Sequence, residues 1–318
     1  MTRTRIFFTS DIHGSHTIFV KFLNAAKFYK ADVIIAGGDI TGKMIVPILE
    51  LPGGKYKAHY LNSETIINTK EELAKFKKLL HSAGYYMHQT DQIEMEEFRK
   101  DPKKIDDLFL RLMLERVKNW VDIADEKLRG TQVKCFVMPG NDDRHEIDEV
   151  LKRSQCMINP EGTVQQIDSN HEMISTGHAN MTPWRCPRDI SEEELEAKIE
   201  GMATMLKKPT NAVFCFHVPP YNTLLDIAPV LDGNLKPQME PGGSFKMGPA
   251  GSTSVRRAIE RHQPVLGLHG HIHESRAAAK LGGTLCLNPG SEYGEGILRG
   301  AVVELDEKKV KDYAFTQG

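Results

Sequence analysis

Five segments of the chain place residues that can bind metal ions directly after a short apolar run. These runs are typical of β-strands because they are short and rich in β-branched and aromatic residues. The polar residues that follow them are, in chain order, Asp11-Ile12-His13, Gly37-Gly38-Asp39, Gly140-Asn141-Asp142-Asp143, His217 and Gly270-His271-Ile272-His273. Ligands bind at the carboxyl ends of strands in open α/β sheets, so these side chains can converge on one site.

The residue types indicate the kind of metal site. Imidazole, carboxylate and amide oxygen suit Mn²⁺, Fe or Zn²⁺, whereas five scattered cysteines without a CxxC pair do not predict a cysteine-bound structural zinc. The seven candidate ligands are Asp11, His13, Asp39, Asn141, His217, His271 and His273. Seven ligands are too many for one tetrahedral ion. With one bridging carboxylate they would serve two ions, the arrangement that stabilises attacking and leaving oxygens in phosphoryl transfer.

Each motif taken alone has a simpler interpretation. An Asp-x-His after a strand is usually a turn followed by a helix cap, and Gly-Asp and Gly-Asn are common turn dipeptides. His217, which precedes Pro219-Pro220, could be an ordinary loop histidine. The Gly-His-x-His segment is more specific, because alternate residues of an extended segment lie on one face. The five motifs together, each at a strand end, favour a dinuclear metal site over coincidence.

This order of motifs resembles the calcineurin-like metallophosphoesterase superfamily over Asp11 to His273. Three smaller segments, Thr182-Pro183-Trp184, Pro219-Pro220 and Asn288-Pro289-Gly290-Ser291, are similar to the Icc-related (cyclic-nucleotide-phosphodiesterase-like) branch of that family. The resemblance implies an α/β fold, a four-layer α/β/β/α sandwich of two mixed sheets. It also implies two metal sets with Asp39 bridging them, namely Asp11, His13 and His273 for one ion and Asn141, His217 and His271 for the other.

The chain departs from the family pattern at Asp142. Family members usually have a histidine there, which contacts a phosphoryl oxygen and assists departure of the leaving group. Two divalent ions, the carboxylates of Asp11 and Asp39 and a hydroxide leave the site near a net charge of about +1 before Asp142 is counted. An ionised Asp142 would lower that charge and disfavour a dianionic monoester more than a monoanionic diester. We therefore expect hydrolysis of a phosphodiester or phosphoanhydride by metal-activated hydroxide.

The roles of the neighbouring residues stay open at this point. Asn141 and Asp142 are the candidate catalytic residues, and Asp142 could act as a general acid, a specificity element or a spectator. Asp143, His145 and His178 are candidate substrate contacts, although a surface role is favoured for His145. Arg144, Arg185 and Arg188 are candidate phosphate contacts by charge alone.

The elements that must position these residues alternate between strand and helix patterns, which indicates a layered α/β domain. We expect one domain over residues 1–318 with an insertion at about 42–130 that contains a β-hairpin turning at Asn62-Ser63. The insertion also contains a helix that begins after Thr69 and a longer helix that continues until Gly130. Further helices are predicted from Ser191 to about Leu206 and from about Ser254, and residues 219–251 are predicted to form a functional loop.

Composition limits the partners. The 41 basic and 43 acidic residues leave a net charge of −2, which does not predict a nucleic-acid partner. The sequence shows neither a membrane span nor a signal peptide, so we expect a cytoplasmic enzyme with a small phosphorylated substrate. The amphipathic helices of the insertion would also suit a homo-oligomer interface. The alternative function is a catalytically weak metal-binding scaffold of the same fold that acts in protein–protein interaction.

Overall fold

The computed structural model describes residues 3–318. Two short 3₁₀ helices, at Pro209–Asn211 and Tyr293–Glu295, accompany its strands and α-helices. In chain order these are β1 (Thr4–Thr9), α1 (His16–Phe28), β2 (Val33–Gly37), β3 (Ile45–Leu51), β4 (Lys55–Tyr60), β5 (Ser63–Ile67), α2 (Lys70–Ser82), β6 (Tyr86–Thr90), α3 (Gln92–Lys100), α4 (Pro102–Leu128), β7 (Lys134–Met138), α5 (Ile147–Leu151), β8 (Met157–Ile158), β9 (Val164–Gln166), β10 (Glu172–Thr176), β11 (Ala179–Asn180), β12 (Asp189–Ile190), α6 (Glu192–Ala203), β13 (Val213–Phe216), β14 (Ile227–Pro229), β15 (Met247–Pro249), α7 (Thr253–His262), β16 (Leu266–Leu268), β17 (Ala277–Leu281), β18 (Thr284–Asn288), β19 (Arg299–Leu305) and β20 (Val310–Gln317).

Two six-stranded mixed sheets form the centre of the molecule. The first has the order β20-β19-β1-β2-β7-β8 and the second the order β17-β18-β16-β13-β10-β9. In the first sheet β1, β2, β7 and β8 are parallel neighbours, and in the second β10, β13, β16 and β18 are parallel. The strand ends that carry the predicted ligands therefore belong to the parallel part of each sheet.

The alternation of side chains along β1 shows why the molecule has four layers. Ile6 and Phe8 point into the core between the two sheets, whereas Phe7 points to the opposite face and packs under α1 and α4. The outer face of the second sheet is covered in the same way by α6 and α7, whose Leu195 and Val255 share a core with its strands. The predicted α/β/β/α sandwich is confirmed.

The local predictions are largely confirmed as well. The five apolar runs that precede the ligand motifs lie in β1, β2, β7, β13 and β16, and the predicted helices form as α2, α4, α6 and α7. Ser191 caps α6, and it exchanges hydrogen bonds with Glu194 in a complete capping box. The hairpin turns one residue earlier than the predicted Asn62-Ser63. The turn residues are Leu61 and Asn62, and both have positive φ, as in the two-residue turns whose twist matches that of the paired strands.

The segment between β2 and β7 contains more structure than the sequence predicted. A four-stranded sheet, β5-β4-β3-β6, packs its Ile48 and Ile67 against Phe76 and Leu80 of α2. The sequence analysis did not predict β3 and β6, because Pro47 interrupts the apolar run of β3 and the five residues of β6 are mostly polar. The long helix α4 leaves this unit and packs on the first sheet, where Trp120 stacks on Phe19 of α1 with ring centroids 4.3 Å apart.

Within residues 3–318, none of the helices is both long and apolar enough to cross a membrane.

The two tryptophans of the chain offer a matched test of this packing. Trp120 is 1% exposed and Trp184 is 62% exposed. We expect Trp120→Ala to lower the free energy of unfolding by about 3–5 kcal/mol, because the substitution leaves a cavity between α1 and α4. Trp184→Ala should change it by less than about 0.5 kcal/mol. Chemical denaturation followed by circular dichroism measures both, and equal losses in the two variants would contradict the assigned packing.

Candidate metal centre

Two loops that follow β1 and β2 lie side by side and form the floor of the site. The amide of Asp11 donates to the carbonyl of Gly38, and the amide of His13 donates to the carbonyl of Asp39, at 3.0 and 2.9 Å. Asp11, His13 and Asp39 all have positive φ, as does His271 on the loop after β16. Non-glycine residues rarely adopt this conformation, and where they do it often marks a functional site.

Two glycines allow the loops to approach this closely. A Cβ on Gly38, whose φ is +118°, would lie 2.2 Å from the Nδ1 atom of His217. A Cβ on Gly270 would lie 2.0 Å from the hydroxyl of Ser10 and 2.5 Å from a carboxylate oxygen of Asp11. The glycines of the Gly-Asp and Gly-His motifs therefore have a steric function.

The first group of candidate ligands consists of Asp11, His13 and His273. The Nε2 atoms of His13 and His273 are 3.1 Å apart, and the Nε2 atom of His273 is 3.3 Å from Oδ1 of Asp11. Two ligands bound to one ion at about 2.0–2.2 Å lie about 3–3.5 Å from each other. The spacing of this group is that of atoms that share an ion.

The second group consists of Asp39, His217 and His271. The Nε2 atom of His217 is 3.4 Å from Oδ1 of Asp39, while Oδ2 of Asp39 is 3.6 Å from Nε2 of His13 in the first group. The two oxygens of one carboxylate thus face imidazoles of different groups. Asp39 lies between the two groups, where a bridging ligand would have to be.

Two buried atoms test whether this donor set fits a metal ion. His217 directs Nδ1 at the carbonyl of Gly37 at 2.9 Å, while its buried Nε2 atom has no hydrogen-bond partner among residues 3–318. Asn141 donates its amide nitrogen to Asp189 at 2.9 Å, and its buried Oδ1 atom is likewise unpartnered within that range. Outer hydrogen bonds of this kind orient metal ligands. The clustered histidines and aspartates, which suit divalent ions, have the arrangement of a metal centre.

The protonation equilibria agree with a site that attracts cations. Burial by itself lowers the pKa of His217, but the carboxylates of Asp39 and Asp11 outweigh burial and raise this pKa to about 9. Burial and the adjacent His217 lower the pKa of His271 to about 4, so this imidazole is neutral at pH 7. Despite burial, the surrounding imidazoles hold the pKa of Asp11 and of Asp39 below the ordinary value, so both are ionised.

The segment Asn288-Pro289-Gly290-Ser291 holds the loop that carries His271 and His273. The buried amide of Asn288 donates to the carbonyls of Gly270 and Ile272, at 3.2 and 3.0 Å. The hydroxyl of Ser291 donates to the carbonyl of Asp11 at 2.7 Å. The Asn-Pro-Gly-Ser segment therefore fixes the two histidines against the first loop.

The structure places Asp142 beside a cation that the sequence analysis did not identify. The Nζ atom of Lys43 is 3.0 Å from Oδ2 of Asp142, and both side chains are partly exposed. Burial acts to lower the pKa of Lys43, but the carboxylates of Asp39 and Asp142 outweigh it and raise this pKa. No motif contains Lys43, although its place just after Gly37-Gly38-Asp39 was a usable signal.

The three candidate substrate contacts do not line the cleft above the metal groups. Asp143 is fully buried, and its carboxylate accepts hydrogen bonds from Ile40, Thr41 and Gly140, so it ties the loops together. His145 is exposed and its Nε2 atom is 3.3 Å from the carbonyl of Pro187. His178 directs Nδ1 at Glu161, 3.1 Å away.

The three candidate arginines lie in three different environments. Arg188 is buried and holds the 143–148 loop through the carbonyls of Asp143 and Arg144. Arg144 lines the cleft. Its guanidinium forms an ion pair with Asp106 and packs against the ring of Phe109. Arg185 is on the surface.

The metal groups lie at the base of a cleft of about 1030 Å³. The insertion contributes Lys43, Phe109 and Met113 to its walls, and the predicted functional loop contributes residues 228–231 and 248–250. Apolar and proline side chains form much of the rest of the wall: Met181, Pro183, Trp184, Pro187, Pro229, Val230, Leu231, Pro237 and Pro249. The cleft therefore combines charged groups with a largely apolar wall.

No protein-family model matches the chain. The uncharacterised protein MJ1162 of Methanocaldococcus jannaschii is 32% identical over 159 residues, which are 49% of this chain and 64% of the length of that protein. Two crystal structures align over almost their whole length. One has a TM-score of 0.57 and 16% identity over 99% of both chains, and TT1561 of Thermus thermophilus has 0.54 and 15% over 100% of this chain and 99% of its own.

The chain therefore shares its overall fold with these two structures. Among its structural neighbours are an archaeal phosphodiesterase (TM-score 0.36, 10% identity, 99% of this chain and 100% of its own) and the phosphoesterase YfcE of E. coli (0.32, 13%, 98% of both).

Metal content tests the assignment of the second group. We expect the purified protein loaded with Mn²⁺ to hold about two ions per chain by elemental analysis, and His217→Ala to lose at least one because its Nε2 atom faces the group. Mn²⁺ should also raise the melting temperature of the wild type, since an ion that binds only the folded state stabilises it. His145→Ala is the matched control, being outside the cleft, and should keep both ions. Full metal content in His217→Ala would contradict the assignment.

Proposed function

We propose that the protein is a hydrolase of phosphoric esters that uses two divalent metal ions and prefers phosphodiesters or phosphoanhydrides to monoesters. The observation that supports this most is the position of Asp39, with one oxygen toward each of two His/Asp groups at the base of a large cleft. Two-ion sites of this kind are suited to in-line displacement at phosphorus. The proposed substrate is a small phosphorylated molecule.

In this proposal Asp11, His13 and His273 hold one ion, Asn141, His217 and His271 hold the other, and Asp39 holds both. When bound, such ions lower the pKa of water and neutralise charge on phosphoryl oxygens. The chain itself supplies fixed positions for these ligands, because backbone and side-chain hydrogen bonds hold the loops before any ion binds. Asp189 fixes the amide of Asn141, and the amide of Asp142 donates to Oδ1 of Asp39 at 3.0 Å.

The preference for diesters rests on the residue at 142. In the family that this chain resembles, a histidine there contacts a phosphoryl oxygen and assists departure of the leaving group, and its absence disfavours efficient hydrolysis of dianionic monoesters. Asp142 supplies no imidazole, and neither His145 nor His178 replaces it in the cleft, since both lie elsewhere. The net charge of the site gives less support to this preference than the sequence suggested, because the ammonium of Lys43 offsets the negative charge of Asp142.

The shape of the cleft gives independent support for a diester. A monoester carries one organic group, whereas a diester carries two and needs room on both sides of the phosphorus. The apolar wall formed by Met181, Pro183, Trp184 and the 228–231 segment could receive a second group of apolar or aromatic character. Trp184 is 62% exposed, which is unusual for so large an apolar side chain and suits a ligand-binding surface.

Two chromogenic esters test the preference. With Mn²⁺ present, we expect kcat/KM for bis(p-nitrophenyl) phosphate to exceed that for p-nitrophenyl phosphate by at least tenfold. Asp39→Asn should lower both activities by more than about 100-fold, because the carboxylate shared by the two groups is lost. Equal or faster turnover of the monoester by the wild type would refute the preference and leave the phosphoesterase assignment intact.

The apolar wall makes a separate prediction. Trp184→Ala should raise KM for bis(p-nitrophenyl) phosphate about five- to tenfold while leaving kcat within about twofold, because the indole contacts the substituent and not the phosphorus. Trp184→Phe should stay close to the wild type. An unchanged KM in Trp184→Ala would show that the second substituent does not use this wall.

A further inference from the structure

Lys43 and Asp142 are brought together by two different loops. Lys43 follows the loop after β2, at the first residues of the insertion, and Asp142 follows β7. Both backbones are fixed near the pair: the amide of Gly42 donates to the hydroxyl of Tyr86 at 2.9 Å, and the amide of Asp142 donates to Asp39 at 3.0 Å. The 3.0 Å ion pair thus joins two anchored segments.

The pair is close to the metal groups. A carboxylate oxygen of Asp142 and ligand atoms of His13 and Asp39 all lie within 4.8 Å of one another. The ammonium of Lys43 is hydrogen-bonded to that carboxylate and remains 43% exposed toward the cleft. A phosphoryl group placed over the metal groups would therefore lie within reach of this ammonium.

The other cation of the cleft is less available. The guanidinium of Arg144 is held by both carboxylate oxygens of Asp106 and by the ring of Phe109, and its side chain is only 26% exposed, against 43% for Lys43. Lys43 has three donors and uses one on Asp142, so it retains donors for a ligand.

We propose that Lys43 is a phosphoryl-binding residue, positioned by Asp142, that supplies the positive hydrogen-bond donor for which related proteins use a histidine at position 142. This inference rests on the proposed function and adds a specificity mechanism to it. Asp142 holds the ammonium in place and offsets its charge, so the pair presents a donor without adding net positive charge. Such a pair suits a monoanionic diester better than a dianionic monoester.

Phosphate binding tests the proposal without any need for turnover. Isothermal titration of the Mn²⁺-loaded protein with inorganic phosphate should show binding that Lys43→Met weakens by about 10- to 100-fold, the range expected for loss of a charge-assisted hydrogen bond. Lys43→Arg should recover most of the loss. Lys57→Met is the matched control, because Lys57 is 41% exposed and forms an ion pair with Glu64 outside the cleft. Metal content is measured for every variant.

A double variant separates a phosphoryl contact from simple neutralisation of Asp142. If Lys43 only cancels the charge of Asp142, then Lys43→Met with Asp142→Asn should regain wild-type phosphate affinity. The proposal predicts that the double variant remains at least fivefold weaker than the wild type. For Asp142→Asn alone it predicts a monoester-to-diester ratio of kcat/KM at least fivefold higher, since the ammonium is no longer offset.

The outcomes are distinct. Phosphate affinity within twofold of the wild type in Lys43→Met with both ions bound would overturn the role of Lys43, as would full recovery in the double variant or failure of the metal-loaded wild type to bind phosphate. If phosphate binding depends on Lys43 but neither ester is hydrolysed, the contact stands and the proposed hydrolase function fails.

Discussion

Two buried carboxylates impose the main constraint on this structure. Asp11 and Asp39 each lie within 4.0 Å of a ring nitrogen of both His13 and His217, so two negative charges share a small region that water barely reaches. Such a cluster is unfavourable unless positive charge or hydrogen-bond donors surround the oxygens. Imidazoles and backbone amides meet part of that demand, and a pair of divalent cations would meet it best.

The loops that build this cluster contain backbone conformations that non-glycine residues rarely adopt. Asp11, His13, Asp39 and His271 all adopt left-handed backbone conformations, which other contacts must hold in place. Asn288 supplies some of them by binding the carbonyls that flank His271. Asp143 supplies others through the amides of the neighbouring loops. Residues outside the two candidate ligand groups therefore account for much of the geometry of the site.

The insertion is connected to the chemistry through its first residues. Lys43 stands where the insertion leaves the sandwich, and the contact between Gly42 and Tyr86 of β6 anchors it there. The position of β6 in the sheet β5-β4-β3-β6 therefore influences where the ammonium of Lys43 lies relative to Asp142. A change in the packing of this sheet should therefore shift the ammonium of Lys43 relative to Asp142.

Features that depend on near neighbours along the chain could be predicted from the amino-acid sequence. The apolar run Ile6-Phe7-Phe8 indicates a buried strand, Ser191 and Glu194 mark a helix start, and each ligand motif follows a strand end, so a layered α/β domain and its candidate ligands could be predicted. The four-layer sandwich was predicted from the resemblance to the metallophosphoesterase superfamily. Which polar residues reach the cleft depends on contacts between distant loops. Asp143 is buried, and His145 and His178 contact Pro187 and Glu161. Lys43 forms an ion pair with Asp142, 99 positions away in the sequence. Such contacts depend on how distant loops pack, and no local pattern of residues encodes that.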